Sequence, residues 1–142
     1  MKSLPEDSYF NVISFGSSSS RIFAKSEKVE MGKVELAIEQ VKKMDADMGG
    51  TEIYYPLQTL LKEKVIEGYP RHVFLLTDGD VSDTEGVISM VGKSTKYSRV
   101  HTIGIGSGAS QSLIEGCSKS GKGKSIMVSD DENPAEKIIG LL

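Results

Sequence analysis

The chain has 142 residues, about the length of one domain, and 38% of them are hydrophobic, which suffices for one buried core. Its net charge of −3 comes without a basic stripe, so we expect neither nucleic acid nor a membrane surface as a partner. One cysteine allows no intrachain disulfide, and no signal peptide or membrane span is visible, so we expect one cytoplasmic domain over residues 1–142, although a fragment of a secreted protein would share these features.

The first half of the chain predicts a strand hairpin followed by two helices. Residues 9–15 alternate apolar and polar side chains, and four serines at 17–20 separate them from a short second strand at 21–25. Apolar residues at three- and four-residue spacing predict helices over 31–44 and 53–65. The methionines of the first helix are expected to fill core space.

The second half predicts alternating strands and helices. An unbroken apolar run at 73–76 indicates a central strand buried on both faces. The turn after it is polar. Ser82 with Glu85 has capping-box spacing, so we expect the next helix to start near Ser82 or Asp83. Further strands are expected at 99–105 and 125–128.

The order of these elements predicts the fold class. Strands that alternate with helices are typical of a mostly parallel sheet with right-handed crossovers and helices on both faces. We therefore expect an α/β, Rossmann-like fold with one antiparallel edge strand. Its ligands should bind at the carboxyl ends of the strands, where Asp78 and Asp80 follow the strand at 73–76.

Four segments together resemble a von Willebrand factor A (vWA) domain. They are SYFNVISFGSSSS, GGTEIYYPL, VFLLTDGDVSD and VHTIGIGSGAS, in that family's order and spacing. The closest resemblance is to the subgroup of inter-alpha-trypsin inhibitor heavy chains and the vault-associated poly(ADP-ribose) polymerase. The resemblance implies a non-enzymatic, adhesion-type module for protein–protein interaction.

The resemblance also implies a metal-ion-dependent adhesion site (MIDAS) that holds Mg²⁺. Thr51 matches the threonine of the family's Gly-Gly-Thr loop, and Asp78 matches its aspartate after the fourth strand; Asp80 is a further candidate ligand. Gly49 and Gly50 would let the threonine loop approach the ion. The family's Asp-x-Ser-x-Ser motif is absent, so we expect Mg²⁺ to bind weakly or not at all in this chain.

The absent motif belongs to the family's first central strand, which we expect to be missing. Its loss would leave the strands at 9–15 and 73–76 with open edges, and open edges recruit other strands. We therefore expect either direct pairing of these two strands or a strand-exchanged homodimer. The partner implied for an intact site is a protein that offers an acidic side chain to the metal.

An enzyme is the alternative interpretation. Asp78, Asp80 and Ser82 approximate the Asp-x-Asp-x-Thr pattern of haloacid-dehalogenase-like phosphatases, with Asp78 as nucleophile and Asp80 as acid and base. Ser107, Lys124 and the aspartates at 130 and 131 loosely supply the remaining roles. A helix cap at Ser82 would leave no room for the flap that follows the motif in those enzymes, so we favour the binding module.

The remaining reactive residue types have simpler interpretations. His72 and His101 are predicted to be isolated polar residues at strand starts, and Cys117 a small buried residue on the apolar side of a helix. The run GIGSG at 104–108 lacks the full dinucleotide-binding spacing and predicts a tight turn between a strand and a helix.

Overall fold

The computed structural model describes residues 4–44 and 50–141. They form two compact units, one of residues 4–44 and 50–52 and the other of Ile53–Leu141. A three-stranded parallel sheet with flanking helices lies in the second unit, which confirms the predicted α/β, Rossmann-like class. That residues 1–142 act as a single domain stays a prediction.

Two short antiparallel ribbons form the sheet structure of the first unit. β1 (Tyr9–Phe10) pairs with β4 (Glu27–Lys28), and β2 (Ile13–Phe15) pairs with β3 (Ser19–Arg21). The predicted hairpin is therefore present between β2 and β3, but the long strand at 9–15 is split. Within the described residues of this unit the strands pair locally. Direct pairing of 9–15 with 73–76 stays a prediction.

The side chain of Asn11 accounts for the split. Its carboxamide oxygen accepts hydrogen bonds from the backbone N–H groups of Val12 at 2.9 Å and Phe23 at 3.2 Å, and its amide donates to the carbonyl oxygen of Phe23 at 2.8 Å. Asparagine side chains compete in this way with the regular ladder. The alternating pattern correctly predicted extended chain but could not reveal this interruption.

The core of the first unit lies between α1 (Met31–Lys42) and β1. Val34 and Ala37 are buried on one face of α1 against Phe10. Phe10 also meets Phe23 edge to face, with ring centroids 5.6 Å apart, a favoured aromatic geometry.

The methionines at the two ends of the predicted helix do not fill the core. Met31 is 73% exposed, and Met44 is 38% exposed beyond the end of α1 at Lys42. The apolar spacing was correct, but the buried stripe is short because only the middle turns of α1 meet the ribbons.

The second unit alternates strands and helices. In chain order it contains α2 (Tyr54–Lys62), β5 (Arg71–Thr77), α3 (Thr84–Lys93), β6 (Ser98–Ile105), α4 (Gln111–Ser120), β7 (Lys122–Val128) and α5 (Pro134–Ile139). The strands are parallel in the order β5-β6-β7, so β6 is the middle strand. The two crossover helices, α3 and α4, pack against each other.

The strand predicted to be central, β5, lies at one edge of this three-stranded sheet. Val73, Leu75 and Thr77 are buried, whereas Leu76 is 41% exposed. This alternation is typical of a strand with one covered face, so the prediction that β5 is buried on both faces is wrong.

The packing of α4 on β6 forms the core of the second unit. Val100 and Ile103 of β6 and Leu113 and Ile114 of α4 are completely buried. Each such side chain contributes roughly 1.5–3 kcal/mol by leaving water. The hydroxyl of Thr102 is buried among them and donates a hydrogen bond to the carbonyl oxygen of Ile114, which satisfies the hydroxyl away from water.

An irregularity at the start of β7 fits it against β6. The register shifts between Val100 and Thr102, and Lys122 has a φ of +52°, in the left-handed region. At the next residue, a side chain on Gly123 would overlap the carbonyl oxygen of Val100. Only glycine allows the two backbones to approach this closely.

We predict that Gly123→Ala destabilises the protein by roughly 1–3 kcal/mol, because the new methyl group must displace the backbone of β6. Lys122→Gly is the matched control, since it relieves the left-handed φ at a small entropic cost and should change stability by less than about 1 kcal/mol. Urea unfolding monitored by circular dichroism measures both. Equal stability of the two variants would contradict the close approach.

Candidate functional site

The carboxyl ends of β5, β6 and β7 share one edge of the sheet, which we call the carboxyl edge. Hydrogen bonds join the loops there. The N–H of Ser110 donates to the carbonyl oxygen of Gly79 at 3.3 Å, and the N–H of Gly106 donates to that of Val128 at 2.8 Å. The three loops are thus tied to one another by main-chain contacts, as expected for a ligand-binding edge of an α/β sheet.

Asp78 lies on this edge with an exposed side chain, directly after buried Thr77. A Cβ atom on Gly108 would lie 2.9 Å from the carbonyl oxygen of Asp78, so glycine is needed for the loop after β6 to approach it. The position predicted from the sequence, at the end of a buried strand, is therefore the observed one.

Asp80 is an exposed turn residue. One of its carboxylate oxygens accepts a hydrogen bond from the N–H of Val81 at 2.8 Å. The helix start predicted near Ser82 or Asp83 is confirmed, but the capping residue is Asp83 rather than Ser82, and its carboxylate accepts from the N–H of Gly86 at 2.9 Å. A carboxylate at a helix N-terminus also complements the helix dipole, which favours aspartate over serine.

Thr51 belongs to the first unit and is half-buried. Its loop is held at Glu52, whose N–H donates to the carbonyl oxygen of Gly16 at 3.3 Å. Gly50 has a φ of +87°, which favours glycine, whereas Gly49 lies outside the described residues. Shared coordination of one cation by Thr51 and Asp78 stays a prediction.

The serines at 17–20 are exposed, and Ser19 and Ser20 belong to β3. Gly16 donates its N–H to the carbonyl oxygen of Ser18 at 2.8 Å, which closes the turn. This agrees with a solvated turn rather than a set of ligands.

Asp130 is a carboxylate at the carboxyl edge that the sequence analysis assigned only to the enzyme alternative. Its side-chain oxygen lies 2.7 Å from where a Cβ of Gly106 would stand, and Gly106 has a φ of +76°. The signal in the sequence was its place just after β7, equivalent to that of Asp78 after β5. Even so, the described residues contain no group of three His, Cys, Asp or Glu side chains arranged to hold a metal ion.

Glu132, in the loop after β7, accepts hydrogen bonds from one lysine and one backbone N–H. Lys137 donates to its carboxylate at 2.6 Å, and the N–H of Ser129 donates at 2.8 Å. These hydrogen bonds lower the pKa of Glu132 below its usual value, and the one from Lys137 has the largest effect. Its charge is therefore already paired within the loop.

The enzyme alternative gains little from this geometry. Asp78 and Asp80 are placed as the motif requires, but α3 begins at Thr84, which leaves a short turn after them. Lys124 lies four residues before the end of β7, about 13 Å from the carboxyl edge at 3.3 Å per residue. Lys124 is therefore too far from Asp78 to contact a phosphate group bound there.

The two histidines form a pair, so the prediction that they are isolated is wrong. His72 Nδ1 lies 3.1 Å from His101 Nε2, and His101 Nδ1 accepts a hydrogen bond from the N–H of Lys124 at 3.1 Å. His101 must therefore carry its proton on Nε2 and donate it to His72. Phe74 stacks on the His101 ring at 4.8 Å.

His101 is 7% exposed, and this burial lowers its pKa below the usual 6.5, with further lowering by His72 and Lys124. Position in a strand could not predict the pair, since it depends on the register that places Phe74 opposite His101. Cys117 agrees with its prediction: it is fully buried on α4, and burial raises the pKa of its thiol to about 11, so it is unreactive near neutral pH.

None of the helices in the described part of the chain has the length and apolar composition needed to cross a bilayer.

Comparison with known proteins identifies the family. The family model of the von Willebrand factor type A domain matches residues 1–126. The von Willebrand factor A domain-containing protein 5A is 42% identical over 142 residues in Rattus norvegicus and 39% in Homo sapiens. All 142 residues of this chain are matched, but they span only 17% of the length of the rat protein and 18% of that of the human protein.

Solved structures with the same fold include two less similar proteins. BatB of Bacteroides thetaiotaomicron superposes with a TM-score of 0.70 at 16% identity, covering 96% of this chain and 78% of that one. Proximal thread matrix protein 1 of the mussel byssus, solved with a zinc-occupied MIDAS motif, superposes with a TM-score of 0.70 at 21% identity. The match covers 93% of this chain and 33% of that one. These likenesses establish the fold.

We predict that the free energy of unfolding falls as the pH is lowered from 7.5 to 5.5. Folding lowers the pKa of His101, so its contribution is complete above the unfolded value of about 6.5 and is lost as the pH falls toward the folded value. His101→Phe should flatten this dependence, whereas His72→Gln, which keeps the buried ring, should retain it. Urea unfolding at each pH provides the measurement; an unchanged slope in His101→Phe would rule out this origin.

Proposed function

Because this chain belongs to the von Willebrand factor type A domain family, we propose that it is a non-enzymatic, adhesion-type module for protein–protein interaction with a partial MIDAS. Domains of this family generally serve in protein interaction. The observation that supports the carboxyl edge as the binding surface is exposed Asp78, which follows β5 and has its backbone closely approached by Gly108.

The chemistry of the donors determines how well a cation fits. Mg²⁺ takes six oxygen ligands in near-octahedral geometry and is usually held by one or two carboxylates with several waters. Thr51 supplies a neutral hydroxyl and Asp78 one carboxylate, with Asp80 as a further candidate whose oxygen already accepts from Val81. No group of three His, Cys, Asp or Glu side chains in the described residues is arranged to hold a metal ion. The proposed donors alone, one hydroxyl and one or two carboxylates, therefore fill few of the six positions around Mg²⁺.

Because the donor set of this chain is incomplete, a carboxylate from another protein can act as a further ligand of the cation. A partner protein that offers an acidic side chain would add a charged oxygen ligand and raise the affinity of both the metal and the partner for this edge. The partner we propose therefore binds through Asp or Glu, and recognition depends on the cation.

We predict that Mg²⁺ binds this chain with a dissociation constant on the order of 1 mM, because the low ligand charge resembles that of weak extracellular cation sites. Asp78→Asn should abolish the signal, and Asp80→Asn should weaken it less. Isothermal titration calorimetry measures each affinity.

The matched control is Glu67→Gln, which removes one negative charge at an exposed position outside the carboxyl edge. It should leave the affinity for Mg²⁺ unchanged. Micromolar binding that survives Asp78→Asn would contradict the assignment of the site.

We also propose that the chain forms a strand-exchanged homodimer. In the described residues β6 is the strand that neighbours β5 in the sheet, which leaves β5 as an edge strand, and edge strands recruit other strands. Light scattering during gel filtration should give twice the monomer mass. Phe74→Pro removes a backbone N–H donor from β5 and should shift the measured mass toward that of a monomer. A monomer at all concentrations would exclude exchange.

A further inference from the structure

A groove lies between α2 and α3, wholly within the second unit and on helices that contact one another only sparingly. Its volume is about 370 Å³, at the small end of the range of ligand pockets. The side chains that define it are Tyr54, Gln58, Leu61, Lys62, Met90 and Lys93. We call it the α2–α3 groove.

Helical spacing explains why these residues face one another. On α2 the lining residues follow at intervals of four, three and one, and on α3 Met90 and Lys93 lie on the same face as Gly86 and Ser89. Gly86 and Ser89 are small, and the carboxylate of Asp83 lies against Gly86. On the α3 side the groove is therefore lined by small side chains next to the residue that caps this helix.

The two charged residues of the groove lie at one end of it, next to apolar Leu61. Tyr54 is in the first turn of α2, whereas Lys62 and Lys93 are the last residues of α2 and α3. Both helix ends lie near the start of β5, where the guanidinium of Arg71 donates to the carbonyl oxygens of Leu60 and Glu63 and its N–H donates to that of Tyr97.

The groove therefore has a positive end and apolar side chains along its length. Among the described residues that line it, two are lysines and none is Asp or Glu, while the carboxylate of Asp83 lies against Gly86 in the first turn of α3. Lysines in a last helical turn also complement the helix dipole. An acidic segment is the occupant whose charge complements the end of the groove formed by Lys62 and Lys93.

We propose that the α2–α3 groove is a second docking surface, which binds an acidic amphipathic helix of a partner protein. An apolar side chain of that helix would lie against Tyr54, Leu61 and Met90, and its carboxylates would pair with Lys62 and Lys93. A helix laid into a groove with apolar anchors at every third or fourth residue is a common recognition mode. Nothing in this mode requires the carboxyl edge or a metal ion.

Fluorescence polarisation tests the proposal with two labelled 14-residue peptides that share Leu and Phe at helical spacing. One carries Glu at all other positions and the other carries Lys. In EDTA, the acidic peptide should bind at least about fivefold more tightly than the basic one, a difference of about 1 kcal/mol, and salt should weaken the binding. Loss of binding in EDTA would assign the peptide to the carboxyl edge and overturn the proposal.

Variants locate the binding surface. Lys62→Glu combined with Lys93→Glu should weaken binding of the acidic peptide at least about fivefold, and Ser89→Trp should block the groove from within. Lys119 is the matched control, because it is an exposed lysine in the last turn of α4 outside the groove. Lys119→Glu and Lys119→Trp should both leave binding unchanged.

Thermal unfolding of each variant confirms that it is folded before binding is compared. The proposal is overturned if the groove variants bind as tightly as the Lys119 variants, if the acidic peptide has no preference over the basic one, or if neither peptide binds at millimolar protein.

Discussion

Close packing between α4 and β6 is the constraint on which the second unit depends. β6 is covered by α4 and flanked by β5 and β7, so its residues are buried on both faces. The strand can carry polar residues only where each one is satisfied, as Thr102 is by the carbonyl oxygen of Ile114. With β6 fixed in this way, the loops that follow all three strands meet at the same edge.

The sequence predicted this unit well because its signals are local. An unbroken apolar run marked β5, a second run ending in a glycine-rich turn marked β6, and the alternation of strands and helices is sufficient to predict parallel pairing. The burial of β5 was predicted less well. An apolar run shows that a strand can be buried on both faces, but exposed Leu76 shows that burial depends on which neighbours cover it.

The first unit was predicted less accurately because single side chains decide its form. Asn11 divides one expected strand into two by forming hydrogen bonds to the backbone at positions 12 and 23. Contacts between residues so far apart in sequence leave no periodic signal. The candidate site shows the same contrast: the place of Asp78 followed from local pattern, whereas the approach of Asp130 to Gly106 and the pairing of His72 with His101 depend on how separate strands align.

The backbone contact between Gly108 and Asp78 has a consequence for how the carboxyl edge can vary. The position of Asp78 is set by main-chain atoms, and the neighbouring side chain of Ser107 is exposed. Substitutions at Ser107 can therefore alter the shape and charge presented beside the carboxylate without moving it. The surface of the carboxyl edge can thus differ between sequence variants while the backbone that carries Asp78 stays in place.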